Sequence, residues 1–175
     1  VCRDEIATPV ISSIFELKNL TSVNLSYNVI NDAEAFEIGK HLLDSNIRIL
    51  DLACNYIGDA GATEIAKNMK NITRLYLEHN EIGPAGATEI IKNIVGSNVN
   101  TLYLGENLIG DAGACEIANH LICSNVITLD LWANEIGAPG ATAIAQNLVG
   151  SNLTSLNLED NKIGNRGATE IAKNL

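Results

Sequence analysis

Cys54, His79 and Glu106 are a thiol, a base and a carboxylate spaced 25 and then 27 residues apart. That is the order in which a nucleophile, its general base and an orienting acid would be wanted for covalent catalysis. A second set has different chemistry. Tyr76, Tyr103 and Trp132 come at comparable intervals, with Arg74, Glu78, His79, Glu106, Asp130, Glu159 and Asp160 in the neighbouring positions. Exposed Tyr and Trp ringed by charge are the material of protein-binding hot spots. Both readings depend on whether the chain brings such distant residues side by side.

The repeat structure does so. Copies of one unit begin at Leu20, Ile47, Ile72, Val99, Val126 and Leu153, offset by 27, 25, 27, 27 and 27 residues, a period expected of a solenoid. Each copy opens with apolar residues at positions 1, 4 and 6, such as Ile47, Leu50 and Leu52. That alternation predicts a short strand with one buried face. Position 9 is always Asn, from Asn28 to Asn161, an amide able to satisfy backbone groups where the strand turns away. An Ile then precedes Gly, or Asn31 in the first copy. After it the apolar spacing changes to i, i+3, i+4, i+7, as in Ala62, Ile65, Ala66 and Met69, which predicts a helix with a narrow buried stripe. Asp59 and Asp111 in its first turn suit the helix dipole, and Pro84 suits the first helical position. Glu64 with Lys67 and Glu89 with Lys92 are expected to pair on the outer face.

Strand, turn, helix and return make one right-handed coil, and stacked coils give a parallel sheet on one side and helices on the other. Strands stack about 4.8 Å apart and helices about 8 to 10 Å, so the stack bends with the sheet on the concave side. The fold class is therefore an α/β solenoid, a curved horseshoe segment. Residues 1–19 are expected to form the helical part of a preceding repeat, with Thr8 and Pro9 opening the helix and Val10, Ile14 and Leu17 covering the first coil. Residues 20–175 form six repeats in one continuous domain. Leu175 falls in the column of Met69 and Leu121. With no distinct polar cap after it, the expectation is a fragment of a longer array, or an end covered by a partner or by end-to-end self-association.

Strand positions 3, 5, 7 and 8 point away from the core, and there the copies differ most. Tyr27, Tyr76, Tyr103 and Trp132 all fall on this face. The net charge of -10 comes without a basic cluster, which argues against nucleic acid and favours a protein with a basic or mixed-charge surface. No apolar run is long enough for a membrane span. Cys2, Cys54, Cys115 and Cys123 lack paired or metal-like spacing, so a reducing, cytoplasmic compartment is expected, with delivery into a host cell left open. His41, His79 and His120 occupy different columns, so no metal is expected; no glycine loop suited to phosphate is present, and no cofactor is predicted. An open sheet face gives Cys54 no oxyanion hole or helix end to activate it. The chain is accordingly read as not an enzyme, with a thiol enzyme using Cys54 and His79 as the least favoured alternative.

The composite pattern LxxLxLxxNxIGxxGAxxIAxxL, carried from Leu50 and repeated to the last copy, resembles the ribonuclease-inhibitor type of leucine-rich repeat. Such repeats occur in the sensing ends of NOD-like receptors and in the GTPase activator of Ran. The resemblance implies a leucine-rich repeat horseshoe and, for the family generally, partner binding on the concave face. The likeness to the Ran activator implies regulation of a small GTPase as an alternative to a plain interaction scaffold. These near-uniform units differ from the two longer alternating types of the mammalian inhibitor, so ribonuclease inhibition is not carried over.

Overall fold

The computed structural model describes residues 8–174; Cys2 and Leu175 lie outside them. Six short strands, β1 (Ser22–Asn24), β2 (Ile49–Asp51), β3 (Arg74–Tyr76), β4 (Thr101–Tyr103), β5 (Thr128–Asp130) and β6 (Ser155–Asn157), alternate with helices. The helices are α1 (Thr8–Phe15), α2 (Asp32–Leu42), α3 (Asp59–Asn68), α4 (Pro84–Ile94), α5 (Gly110–Leu121), α6 (Ala138–Leu148) and α7 (Gly164–Lys173). The strands pair in parallel in the order β1-β2-β3-β4-β5-β6, an open sheet. Each unit position lies beside its equivalent in the next coil: Val23 against Leu50, Leu75 against Leu102, Leu129 against Leu156.

The core lies between sheet and helices. From β1 to β5 the strand leucines are buried, and so is the helix stripe of α3 to α5, Ala62, Ile65, Ala66 and Met69 with their equivalents; in α7 the stripe is open, with Ala168 and Ala172 exposed. The predicted pairs Glu64–Lys67 and Glu89–Lys92 close at 3.1 and 3.3 Å. One expectation holds only in part at the N-terminal end: of Val10, Ile14 and Leu17, Ile14 alone packs against the core. Ile11 and Phe15 are the buried residues of α1, whereas Val10 and Leu17 are exposed. The spacing of Val10, Ile14 and Leu17 is equally helical, but α1 turns its neighbouring face inward, where Phe15 stacks on His41 of α2. At the other end Leu153, Leu156 and Leu158 are only partly buried, and with Leu148 and Ile171 they line a hollow of mixed polarity whose other walls are Thr154, Ser155 and Asn174.

The asparagine column is a ladder. Asn80 accepts from Ile57 N through Oδ1 and donates through Nδ2 to the carbonyls of Leu52, Leu77 and Glu78. Asn55 and Asn107 repeat the arrangement one coil to either side. Aspartates at the helix starts also work between coils. Asp32 accepts from Gly58 N and Gly61 N, Asp59 from Gly83 N and Gly86 N, and Asp111 from Gly137 N and Gly140 N. Each supplies to the next helix the acceptor that an N-cap side chain supplies to its own. Of the coils that another helix follows, those at Pro84 and Ala138 lack the aspartate. The helix starts that follow them place Gly110 and Gly164 in the left-handed region, φ 58° and 57°, whereas Gly58, Gly83 and Gly137 are extended.

Candidate docking face

The outward side chains of the strands form a table with one coil per row. Strand register places the position-5 residues as immediate neighbours: Asn24, Asp51, Tyr76, Tyr103, Asp130, Asn157. The rings of Tyr76 and Tyr103 stack with centroids 4.9 Å apart and planes 7° from parallel. That distance matches the spacing of strands in a sheet, so the stack runs along the solenoid. On either side an aspartate is held by its own coil and by the next one out. Asp51 accepts from Ala53 N and from Asn24 Nδ2, and Asp130 from Trp132 N and from Asn157 Nδ2.

Position 7 carries Glu78 and Trp132. A Cβ at Gly105 would collide with Nε1 of Trp132, so the indole of one coil lies over the glycine of the coil before it. Only a residue without a side chain admits that approach. Glu78 is half-buried, and its Oε2 has no hydrogen-bond partner. Burial pushes its pKa up to about 7; the charges of Asp51 and Asp130 add to the rise, and a backbone hydrogen bond opposes it.

Position 8 is the sharp turn out of the strand. Tyr27, Cys54, His79, Glu106, Ala133 and Asp160 all have φ between 48° and 59°. For residues with a Cβ this region costs about 1–2 kcal/mol. The conformation is held by the coil-to-coil ladder, in which Cys54 N donates to Glu78 O, His79 N to Gly105 O and Glu106 N to Trp132 O. The ladder turns these side chains onto the rim of the sheet face. His79 Nδ1 and Glu106 Oε2 meet at 2.8 Å, which fixes the imidazole. Cys54 lines a shallow groove with Tyr27, Tyr56 and His79, yet no hydrogen bond joins its sulfur to His79 among the described residues. A base and its orienting acid are present without a coupled nucleophile.

Of the residues singled out from sequence, Tyr76, Tyr103, Glu78 and Asp130 therefore share one continuous surface, and Trp132 leans into it over Gly105. His79 and Glu106 form its rim as a pair. Arg74 lies exposed at the start of β3, and Glu159 and Asp160 lie exposed on the last coil. Sequence reasoning missed Asp51, Asn24 and Asn157, which fix the aspartates, and Gly105, which seats the indole. The near-mirror order of position 5, Asn-Asp-Tyr-Tyr-Asp-Asn, was the available signal. No group of three His, Cys, Asp or Glu able to hold a metal occurs among the described residues. No helix there is long and apolar enough to cross a membrane.

A leucine-rich repeat family model matches residues 16–33, 44–66, 68–90, 123–145 and 151–172, well over half of the chain. This chain belongs to the leucine-rich repeat family. Its fold is similar to that of solved leucine-rich repeat structures. One is leiomodin-1 actin-binding site 2, with TM-score 0.67 and 21% identity over 80% of this chain and 86% of that one. Another is an internalin from Listeria monocytogenes, with TM-score 0.61 and 20% identity over 98% of this chain and 50% of that one. At such identities the likeness concerns the fold. No curated protein matches the chain by sequence.

Proposed function

We propose that the protein is a non-enzymatic interaction scaffold that docks a partner protein on the concave face of its sheet, centred on Tyr76, Tyr103 and Trp132. The observation that carries this reading is the division of labour within each strand. The inward columns repeat Leu, Ile and Asn from coil to coil, while positions 5 and 7 vary along the stack and hold a half-buried stacked aromatic pair on the outward face. The tyrosines and the tryptophan contribute nothing to the core, yet rigid aromatic surface flanked by charge is the composition of interface hot spots. That leiomodin-1, similar in fold, has an actin-binding site of this architecture agrees with a docking role and leaves this protein's own partner to be found.

The test is binding of the physiological partner to the purified protein and to a variant carrying Tyr76→Ala with Trp132→Ala. The expected result is loss of binding with the helical circular dichroism retained. Unchanged affinity would move the docking surface elsewhere on the molecule.

A further inference from the structure

The position-5 row is a ridge with a step on each side. Tyr76 and Tyr103 stack face to face, so each ring turns its other face along the row towards the neighbouring coil. There the register places Asp51 beside Tyr76 and Asp130 beside Tyr103. An aspartate side chain is shorter than a tyrosine. Each step therefore has a carboxylate for a floor and the outer face of a phenol ring for a wall.

The floors are preorganised. Each carboxylate takes two hydrogen bonds, one from a backbone N–H and one from an asparagine amide, out of about four lone-pair sites that a carboxylate offers. The remaining sites are free for an incoming donor. Glu78, on the coil of Tyr76, lies close enough to both aspartates to feel their charge. A planar cation that donates in two parallel bonds while lying on an aromatic face fits such a step, and the guanidinium of arginine has that shape. Lysine, a compact and strongly hydrated charge, fits it less well.

From the two mirrored steps we infer that the docked segment of the partner is extended and carries two arginines, one seated on Asp51 against Tyr76 and the other on Asp130 against Tyr103. This deepens the docking reading and rests on it. The distance between the steps sets the register. Three coil spacings of about 4.8 Å make roughly 14 Å, close to the span of four residues of extended chain at about 3.3 Å each. The arginines of the segment are thus spaced i and i+4. Arg74, exposed on the same face two residues before Tyr76, is a like charge that works against such a segment and limits its affinity.

Trp132 is the chain's single tryptophan and sits beside Asp130, so its emission reports on the site directly. The probe is a synthetic Gly/Ser peptide of about twelve residues with two arginines at i and i+4, compared with the same peptide carrying two lysines, one arginine or two glutamates. The expected result is a saturable change in Trp132 emission with the two-arginine peptide. Affinity should weaken by about tenfold for one arginine, fall for lysine, vanish for glutamate, and decline steeply with salt, because exposed charges are screened over about 10 Å at 0.1 M. Arg74→Ala should tighten binding, and Asp51→Asn with Asp130→Asn should weaken it by about tenfold or more with the circular dichroism unchanged. A glutamate peptide that binds as well as the arginine one, or no saturable change up to millimolar peptide, overturns the inference. The two levels separate on the physiological partner. If Tyr76→Ala with Trp132→Ala abolishes its binding while Asp51→Asn with Asp130→Asn does not, the docking face stands and arginine recognition falls. If neither pair matters, both fall.

Discussion

Leu102 and Tyr103 are adjacent in the chain and share one strand, yet they belong to different regions of the molecule. Leu102 is fully buried, between Leu75 and Leu129 of the neighbouring coils. Tyr103 faces outwards and meets a tyrosine on one side and an aspartate on the other. The period of two in a strand separates the faces so cleanly that one can be held nearly constant while the other varies. Identical coils solve the packing problem once for the whole stack, and the outward columns are released from it. The same separation explains the left-handed position-8 turn. The interstrand ladder enforces that conformation regardless of side chain, so Cys, His, Glu and Ala all occupy it.

Four substitutions probe this contrast, from the inner face outwards. Leu102→Ala leaves a cavity between coils and should destabilise by about 2–5 kcal/mol, read from urea unfolding. Asp59→Ala removes the acceptor for two amides of the next helix and should cost about 1 kcal/mol. The loss is bounded because Gly83 can adopt the left-handed start already used by Gly110 and Gly164; if Asp59→Ala cost as much as Leu102→Ala, the intercoil cap would be part of the core rather than a device at its edge.

Glu78→Gln tests the half-buried member of the outer face. Its folded pKa of about 7 lies above the ordinary 4.5. Its neutral form therefore suits the fold, and its contribution is present below pH 4.5 and lost as the pH rises through 7. Replacement by a neutral amide should raise stability at pH 8 by about 1 kcal/mol, allowing for solvent screening of a group that is not fully buried, and change little at pH 5. A gain at pH 5 that disappears at pH 8 would reverse the sign. Lys92→Ala, on the far side of the helices, should stay within about 0.5 kcal/mol in the same unfolding measurement.

Much of this was legible in the sequence because the physics is local and repeated six times over. The strand alternation, the asparagine ladder and the helix stripe each need only spacing and residue type, and Leu50, Asn80 and Ile117 lie where the pattern sends them. What escaped was set by neighbours across coils. Asp59 reads as a favourable charge for its own helix, and only the stack shows it capping the next one. Ile11 and Phe15 were missed because a lone helix outside the repeat has no register to copy, and two overlapping apolar spacings fit it equally. On the docking face the aromatic and acidic residues were readable from their columns. The steps beside the tyrosine stack, the indole over Gly105 and the unpartnered oxygen of Glu78 depend on side-chain lengths meeting across strands, which no single column records.

The most direct measurement is a paired one on Leu102→Ala and Tyr103→Ala, with unfolding free energy and partner affinity determined for each. The large stability loss is expected for the leucine variant alone. Tyr103→Ala should lose about 0.5–1.5 kcal/mol, the worth of one aromatic contact, and weaken partner binding by about tenfold or more. A tyrosine variant as unstable as the leucine variant, binding its partner with undiminished affinity, would contradict it.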